Sequence, residues 1–425
     1  MVLYNLYKDK SKGRFLYNIS KIDRMLRQHK SVIRSLCVIT VGVILMSATT
    51  AIYVTPKGQV ANALPFIFSG PDKTPPTSAS QGAIASSVQN YDMQKHCATD
   101  LSKRPNSIEY LTYFNCGRVS EKAGDANNGQ QSKTIREFTL VAKENQSIPI
   151  ADNGLKLNAW TYNGTVPGPT MRMTEGDMVK ITVINSKENK HAHSLHLHSI
   201  HSGAMDGVEG SAGAIAPGQS YTYSFVAQPT GVYPYHCHVD PIAQHINNGL
   251  YGMMIIDPKV PRPQANEMVM LMNGYDLDFD KEGDATAKIP TVSEVKAGLP
   301  EEKPHSNEVY TVNGKAFDYM NHPINLTTNT PYRIYLVNML EFDLVNSFHL
   351  HGNMFEYYPA GTGTNPVFKT DVVELGQGDR GIMEFDYKNP GRYMFHAHVT
   401  EFTELGWMGF FDVKDSSRLT HQPSA

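Results

Sequence analysis

From Thr134 onward the chain alternates apolar and polar residues in short runs rather than at helical spacing. Met178–Asn185 (MVKITVIN) sets Val179, Ile181 and Val183 on one face, and Ser220–Phe225 (SYTYSF) does the same with Tyr221, Tyr223 and Phe225. A period of two predicts half-buried strands. Turn-forming stretches such as Asn163–Thr170 (NGTVPGPT) and Ala216–Ser220 (APGQS) interrupt these runs at the spacing of a β-sandwich or barrel. The pattern then recurs. The segment beginning at Tyr223 (YSFVAQPTGVYPYHCHVDPIAQHINNGLYGMMIIDP) overlays the one beginning at Met383 (MEFDYKNPGRYMFHAHVTEFTELGWMGFFDVK), with Pro, Gly, His and the closing apolar strand in step. HAHSLHLHS from His191 overlays DLVNSFHLHG from Asp343 in the same way. The chain is therefore read as all-β, with two copies of one domain over 134–258 and 262–415 joined at DPKVPRP.

The texture upstream is different. Residues 1–34 are basic, and Ser35–Val54 is an uncharged apolar run long enough to cross a bilayer as a helix. The positive-inside bias places residues 1–34 in the cytoplasm and everything after Val54 outside it, anchored to the cell membrane. A cleaved signal sequence is the alternative, with Ala48 and Ala51 as small residues near its end. Residues 55–133 are rich in Pro, Gly, Ser, Asn and Gln and read as a flexible tether. Cys97 and Cys116 lie within it and, in an oxidising compartment, are expected to form a local disulfide. The net charge of −3 gives no electrostatic case for a nucleic-acid partner. Charged residues make up only 19% of the chain, and Tyr and Phe are plentiful, which agrees with β-rich structure.

Histidine placement carries the chemistry. Side chains at i and i+2 of a strand share a face, so His196 with His198 and His236 with His238 form two-pronged imidazole pairs. Cys237 points the opposite way, His193 has matching opposite parity, and His245 arrives from the following loop. The expected result is two metal sites back to back, with His193, Cys237 and His245 around one copper and four imidazoles facing away from it. The second domain repeats the imidazole pairs as His349 with His351 and His396 with His398. It has lost the thiolate site: Asn346 stands for His193, Ala397 for Cys237, Phe402 for His245 and Trp407 for Leu250. Seventeen scattered histidines do not produce five His-x-His pairs by chance. One of the five pairs His191 with His193, and His191 is read as a solvated or supporting residue. The lone histidines His96, His201, His305, His322 and His421 are read as structural.

HSLHLH, HCH followed by His245, FHLHG and FHAH resemble the four histidine motifs of the multicopper oxidases, and Asn163–Asp177 (NGTVPGPTMRMTEGD) is similar to their signature near the first strands. The likeness covers about 134–415 and is to the two-domain, laccase-like form built of tandem cupredoxin domains, which are Greek-key β-sandwiches. It implies four coppers per chain. His193, Cys237 and His245 would hold type 1 copper; His196 and His349 type 2; His198, His236, His238, His351, His396 and His398 the type 3 pair. It implies an enzyme that takes single electrons from a small-molecule or metal-ion reductant and reduces dioxygen to water, assembled head-to-tail as a homotrimer with a trinuclear cluster between domain 1 of one subunit and domain 2 of the next. Leu250 takes the place of the weak axial methionine found in many blue sites, which favours a higher reduction potential. Asp240, Asp206 and Glu401, with Glu404, are the carboxylates near enough in sequence to relay protons. Copper nitrite reductases are the competing reading, although they normally carry a carboxylate at the position of His196. A non-catalytic copper or electron-transfer protein is the other.

Overall fold

The computed structural model describes residues 97–98, 105–122, 133–198, 201–208, 210–279 and 305–419. The basic segment 1–34, the apolar run 35–54 and much of the expected tether lie outside the described residues. Among those described, no helix is long and apolar enough to cross a membrane.

Each repeat folds as a two-sheet β-sandwich. In the first, Phe114–Asn115, Thr170–Thr174, Tyr251–Asp257, Gly231–His236 and His196–Leu197 form one sheet in that order. Arg118–Lys122, Lys133–Pro149, Met178–Asn185 and Ser220–Val226 form the other, with Lys156–Tyr162 also paired to Lys133–Pro149. The alternation read in Met178–Asn185 is real: Val179, Ile181 and Val183 are fully buried between the sheets. In the second repeat one sheet runs Val309–Val312, Asn266–Tyr275, Tyr332–Asn338, Arg380–Phe385, Phe355–Pro359 and Phe368–Thr370. Its partner runs Ile324–Thr327, Met408–Lys414, Gly391–His396, Val345–Leu350 and Val372–Gly376.

The two domains match down to single hydrogen bonds. His196 is in register with His236, as His349 is with His396. Cys237 N donates to Leu250 O at 2.9 Å, and Ala397 N to Trp407 O at 3.3 Å. Leu250 N donates to His245 O at 3.0 Å, and Trp407 N to Phe402 O at 2.9 Å. The backbone around the thiolate is thus kept in the second domain, while Ala397, Phe402 and Trp407 join its apolar core.

A third core lies between the sandwiches, where Val232, Tyr251, Met253 and Ile255 of the first meet Val269, Leu271, Tyr335 and Val337 of the second. Beside it the buried Arg172 guanidinium pairs with Asp257 and Glu267 at 2.7 Å each, and Glu267 also accepts from Arg333 at 3.0 Å. Compensated buried charges of this kind lock a relative orientation, because separating them would leave a charge unpaired away from water.

The tether expectation needs correction where the structure describes it. Residues 105–122 are packed. Ser107–Tyr110 is a short helix closed by a capping box between Asn106 and Glu109. Tyr110, Leu111 and Phe114 are almost fully buried, and Val269 N of the second domain donates to Leu111 O at 2.9 Å. Phe114–Asn115 pairs in parallel with the strand at Thr170, and Arg118–Lys122 pairs with Lys133–Glu137. The first domain therefore begins upstream of residue 134. Composition misled here because a few large side chains in EYLTYFNC are sufficient to dock the segment. Cys97 and Cys116 form the expected disulfide, with Cα atoms 5.7 Å apart.

Candidate metal centres

His193 is held opposite Ile215 by a pair of backbone hydrogen bonds, Cys237 follows the strand Gly231–His236, and His245 sits in the short helix Ile242–Asn247. These three elements aim their side chains at one point. Cys237 Sγ lies 3.0 Å from His245 Nδ1, and His193 Nδ1 lies 3.4 Å from the same atom. Ligand atoms about 2.0–2.3 Å from a shared ion stand roughly this far apart. All three residues are buried, at 0–1% exposure, and Ser194 N also points at the sulfur. Burial opposes ionisation of the Cys237 thiol, but the charges and hydrogen bonds of His245 and His193 outweigh it and bring its pKa well below the ordinary value. The donor set of one thiolate and two imidazoles in trigonal arrangement suits copper.

Leu250 is fully buried in the same core as Cys237. Met253 belongs to the core between the domains, on the opposite face of its strand, so it is not placed to supply an axial thioether. Trp160, which sequence reasoning passed over, packs edge-on against His193 and His245 with ring centroids 5.3 and 4.8 Å away, and stacks on His191 at 4.7 Å.

On the far side of Cys237, His198 Nε2 and His236 Nε2 meet at 3.0 Å, and the ring of His196 lies 5.2, 5.2 and 4.9 Å from those of His198, His236 and His238. The second domain builds the same figure. His351 Nε2 and His396 Nε2 meet at 2.9 Å, and His349 lies 5.0, 5.2 and 5.3 Å from His351, His396 and His398. Four of these rings have their tautomer set by a backbone carbonyl, which accepts and cannot donate. His196 Nδ1 donates to Asp206 O (2.9 Å), His236 Nδ1 to Cys237 O (2.8 Å), His349 Nδ1 to Asp371 O (2.8 Å) and His396 Nδ1 to Ala397 O (2.6 Å). Their Nε2 lone pairs are thereby turned toward their partners' rings, as metal ligands require. The residues present fit copper at both places.

Burial lowers the pKa of His236 to about 3 and of His198 to about 4, and it also lowers those of His196, His351 and His396. Neutral imidazoles bind metal, so these sites stay competent in mild acid. The same shifts predict an acid-sensitive copper-free protein. Each group takes up its proton at lower pH in the folded than in the unfolded state, so the unfolded state gains protons first and these groups lower stability as pH drops below about 6.5. His193 alone among the shifted histidines runs the other way, its pKa raised by Cys237 and Glu144 against the effect of burial. Urea unfolding of the copper-free protein between pH 7 and 5 measures the balance, and a flat or rising stability toward pH 5 contradicts it.

Of the carboxylates read as proton relays, Asp206 is the one set against a ligand: its Oδ1 is 3.2 Å from His196 Nδ1 and 3.6 Å from His201 Nε2. Asp240, Glu401 and Glu404 are exposed, and none of their side chains bonds to the eight imidazoles among the described residues. His201, read as structural, is packed against His196 with centroids 5.9 Å apart. Within one chain the two imidazole groups remain separate clusters, and among the described residues no metal-capable group joins them.

Sequence and structure comparisons agree with this chemistry. Family models described as multicopper oxidase match residues 144–261 and 284–417, together more than half of the chain. A solved structure titled a multicopper oxidase is 42% identical, with a TM-score of 0.61, covering 73% of this chain and 97% of that one. A copper nitrite reductase from Nitrosomonas europaea is 27% identical with a TM-score of 0.57, covering 66% of this chain and 94% of that one. Among curated proteins, the copper-containing nitrite reductase of Neisseria gonorrhoeae is 30% identical over 58% of this chain, and the match spans only 60% of that relative's length. With tandem cupredoxin domains, one thiolate site and two imidazole groups, this copper protein belongs to the multicopper oxidase family.

Proposed function

We propose that the protein is a laccase-like oxidase that takes single electrons from a small-molecule or metal-ion reductant at the His193–Cys237–His245 site and reduces dioxygen to water at a site shared by both domains. The observation that carries this reading is the second complete set of imidazoles, His349, His351, His396 and His398, on a domain where Asn346, Ala397 and Phe402 stand in place of the thiolate-site ligands. Copper at the two kinds of site supplies the one-electron and dioxygen chemistry. The chain supplies the connection, because His236 and His238 flank Cys237 and tie the thiolate to the imidazole group through a few covalent bonds. Asp206, against His196, is the residue placed to hold that ring and to pass protons toward reduced oxygen.

The shared site is proposed to form between copies. In one chain the two groups stay apart, while His351 and His398 are exposed, Met354 (45% exposed) lines the same hollow as His349 and His351, and Val399 (38%) follows His398 in the chain. Ligands left open beside unpartnered apolar residues fit a face that is covered by another subunit. A head-to-tail contact that closes on itself gives a ring, and we propose the trimer that the family resemblance suggests. The N-terminal segment is proposed to hold this ring at the outer face of the cell membrane.

Nitrite reduction is the second reading, favoured by the names of the curated relatives. His196 argues against it, since it stands where those enzymes normally carry a carboxylate. The discriminating experiment is metal analysis with paired assays. Four coppers per chain, a blue band, a near-ultraviolet shoulder from a coupled pair and oxygen uptake are expected; two coppers, no shoulder and nitrite consumption instead of oxygen uptake establish the second reading.

A further inference from the structure

One carboxylate lies inside the shell of the thiolate site without being a ligand. Glu144 belongs to the strand Lys133–Pro149, on the same face as the buried Phe138, Leu140 and Ala142. Just after it the strand bulges: Lys143 pairs with Thr161 but Gln146 with Ala159, and Asn145 adopts a φ of 54°. Pairing with Lys156–Tyr162 resumes at Gln146 while pairing with Met178–Asn185 stops at Ala142, and Glu144 N donates to Asn189 Oδ1 at 2.9 Å instead of to a neighbouring strand. The bulge thus fastens Glu144 to the loop that carries His191 and His193.

Its carboxylate is 6% exposed and fully engaged. Oε1 accepts from His193 Nε2 at 3.0 Å, from His191 N at 2.9 Å and from Lys190 N at 3.1 Å. Oε2 accepts from Lys190 N at 3.2 Å and faces His191 Nδ1 at 3.2 Å. Its oxygens accept from two backbone N–H groups and face two imidazole nitrogens, a set of donors that favours the ionised carboxylate although the group is buried. A carboxylate accepts and cannot donate, so the His193 proton sits on Nε2 and the lone pair on Nδ1, the atom that faces Cys237 and His245.

We propose that Glu144 sets the reduction potential of the blue site by holding a negative charge on the far nitrogen of His193. The inference rests on the reading of His193, Cys237 and His245 as a copper site. A buried anion hydrogen-bonded to a ligand makes the imidazole a stronger donor, and it favours the more positively charged cupric state over the cuprous state. Glu144 therefore acts as a positioning residue whose charge lowers the potential, opposing the rise expected from Leu250 in place of an axial thioether. The site would hold two counteracting settings, one at Leu250 and one behind His193.

The experiment is a redox titration of the blue band in the copper-loaded full chain and in Glu144→Gln. Glutamine keeps the shape and the backbone hydrogen bonds but removes the charge. The expected result is a retained blue band with the preference for the cuprous state raised about tenfold, a shift of about 59 mV for a one-electron couple. A retained band with an unchanged or lowered potential overturns the proposal and leaves the copper reading intact, whereas a wild-type protein with no blue band overturns the reading beneath it. Glu144→Asp keeps the charge but withdraws it by one methylene, and it serves where glutamine is not tolerated, with an intermediate rise expected. His191→Ala is the control for the neighbouring ring, since it leaves the Glu144–His193 bond in place. A rise as large in His191→Ala as in Glu144→Gln shows that the effect does not run through His193 and overturns the proposal.

Discussion

His396→Ala is expected to abolish oxygen reduction while leaving the blue absorbance in place. His396 belongs to the second domain, where its Nδ1 is fixed by Ala397 O and its Nε2 meets His351. It has no part in the cluster of His193, Cys237 and His245. Loss of a ligand in a shared site costs at least the roughly 10–100-fold measured when only an outer partner of a metal ligand is removed. Oxygen uptake should therefore fall by more than about 100-fold. His349→Ala, at the pseudo-equivalent of His196, should behave alike. Loss of the blue band in either variant would mean that the second domain helps to build the thiolate site.

The opposite separation is expected of Cys237→Ser. On the proposed reading the thiolate is the source of the blue absorbance, so the band should disappear. Reductant oxidation falls by more than about 100-fold for want of an entry point, on the same ligand-loss scale. The imidazole group beyond it keeps its copper, because His236 and His238 are positioned by backbone bonds that serine preserves: Cys237 N to Leu250 O, and His238 N to Ser194 Oγ at 3.0 Å. The second domain already shows this local backbone surviving without any ligand, with Ala397 and Trp407 making the corresponding bond. Metal analysis and electron paramagnetic resonance on Cys237→Ser check the prediction; loss of all copper contradicts it.

The thiolate site and both imidazole groups could be read from the sequence because the logic is local. Strand parity places Cys237 opposite His236 and His238, and the internal repeat shows which ligands the second domain keeps and which it has replaced. The register of His196 with His236 and of His349 with His396 follows the same alternation. What sequence did not reveal depends on contacts between distant segments. Glu144 lies in an unremarkable strand far from His193 and reaches it only because Lys133–Pro149 runs parallel to Met178–Asn185, the strand that leads into the histidine loop. Trp160 reaches the same site from yet another strand. The docking of residues 105–122 was hidden by polar composition, since no periodicity identifies a segment fixed by Tyr110, Leu111 and Phe114 alone. Nearness in sequence does not decide which carboxylate meets a ligand. Asp206, ten residues past His196, is in contact with it, while Asp240, two past His238, is exposed.

The proposed dioxygen site needs domain 1 of one chain and domain 2 of another, and subunit complementation tests this most directly. His198→Ala damages the first half-site and His396→Ala the second, and each homogeneous protein should be inactive. Co-expressed in one cell, the two chains should form mixed rings. In these, the intact first domain of a His396→Ala chain faces the intact second domain of a His198→Ala chain at about a quarter of the interfaces if mixing is random. Oxygen uptake recovered to roughly that share of the wild-type rate is the predicted result. Mixed oligomers as inactive as either parent would place the whole site within a single chain and contradict the account.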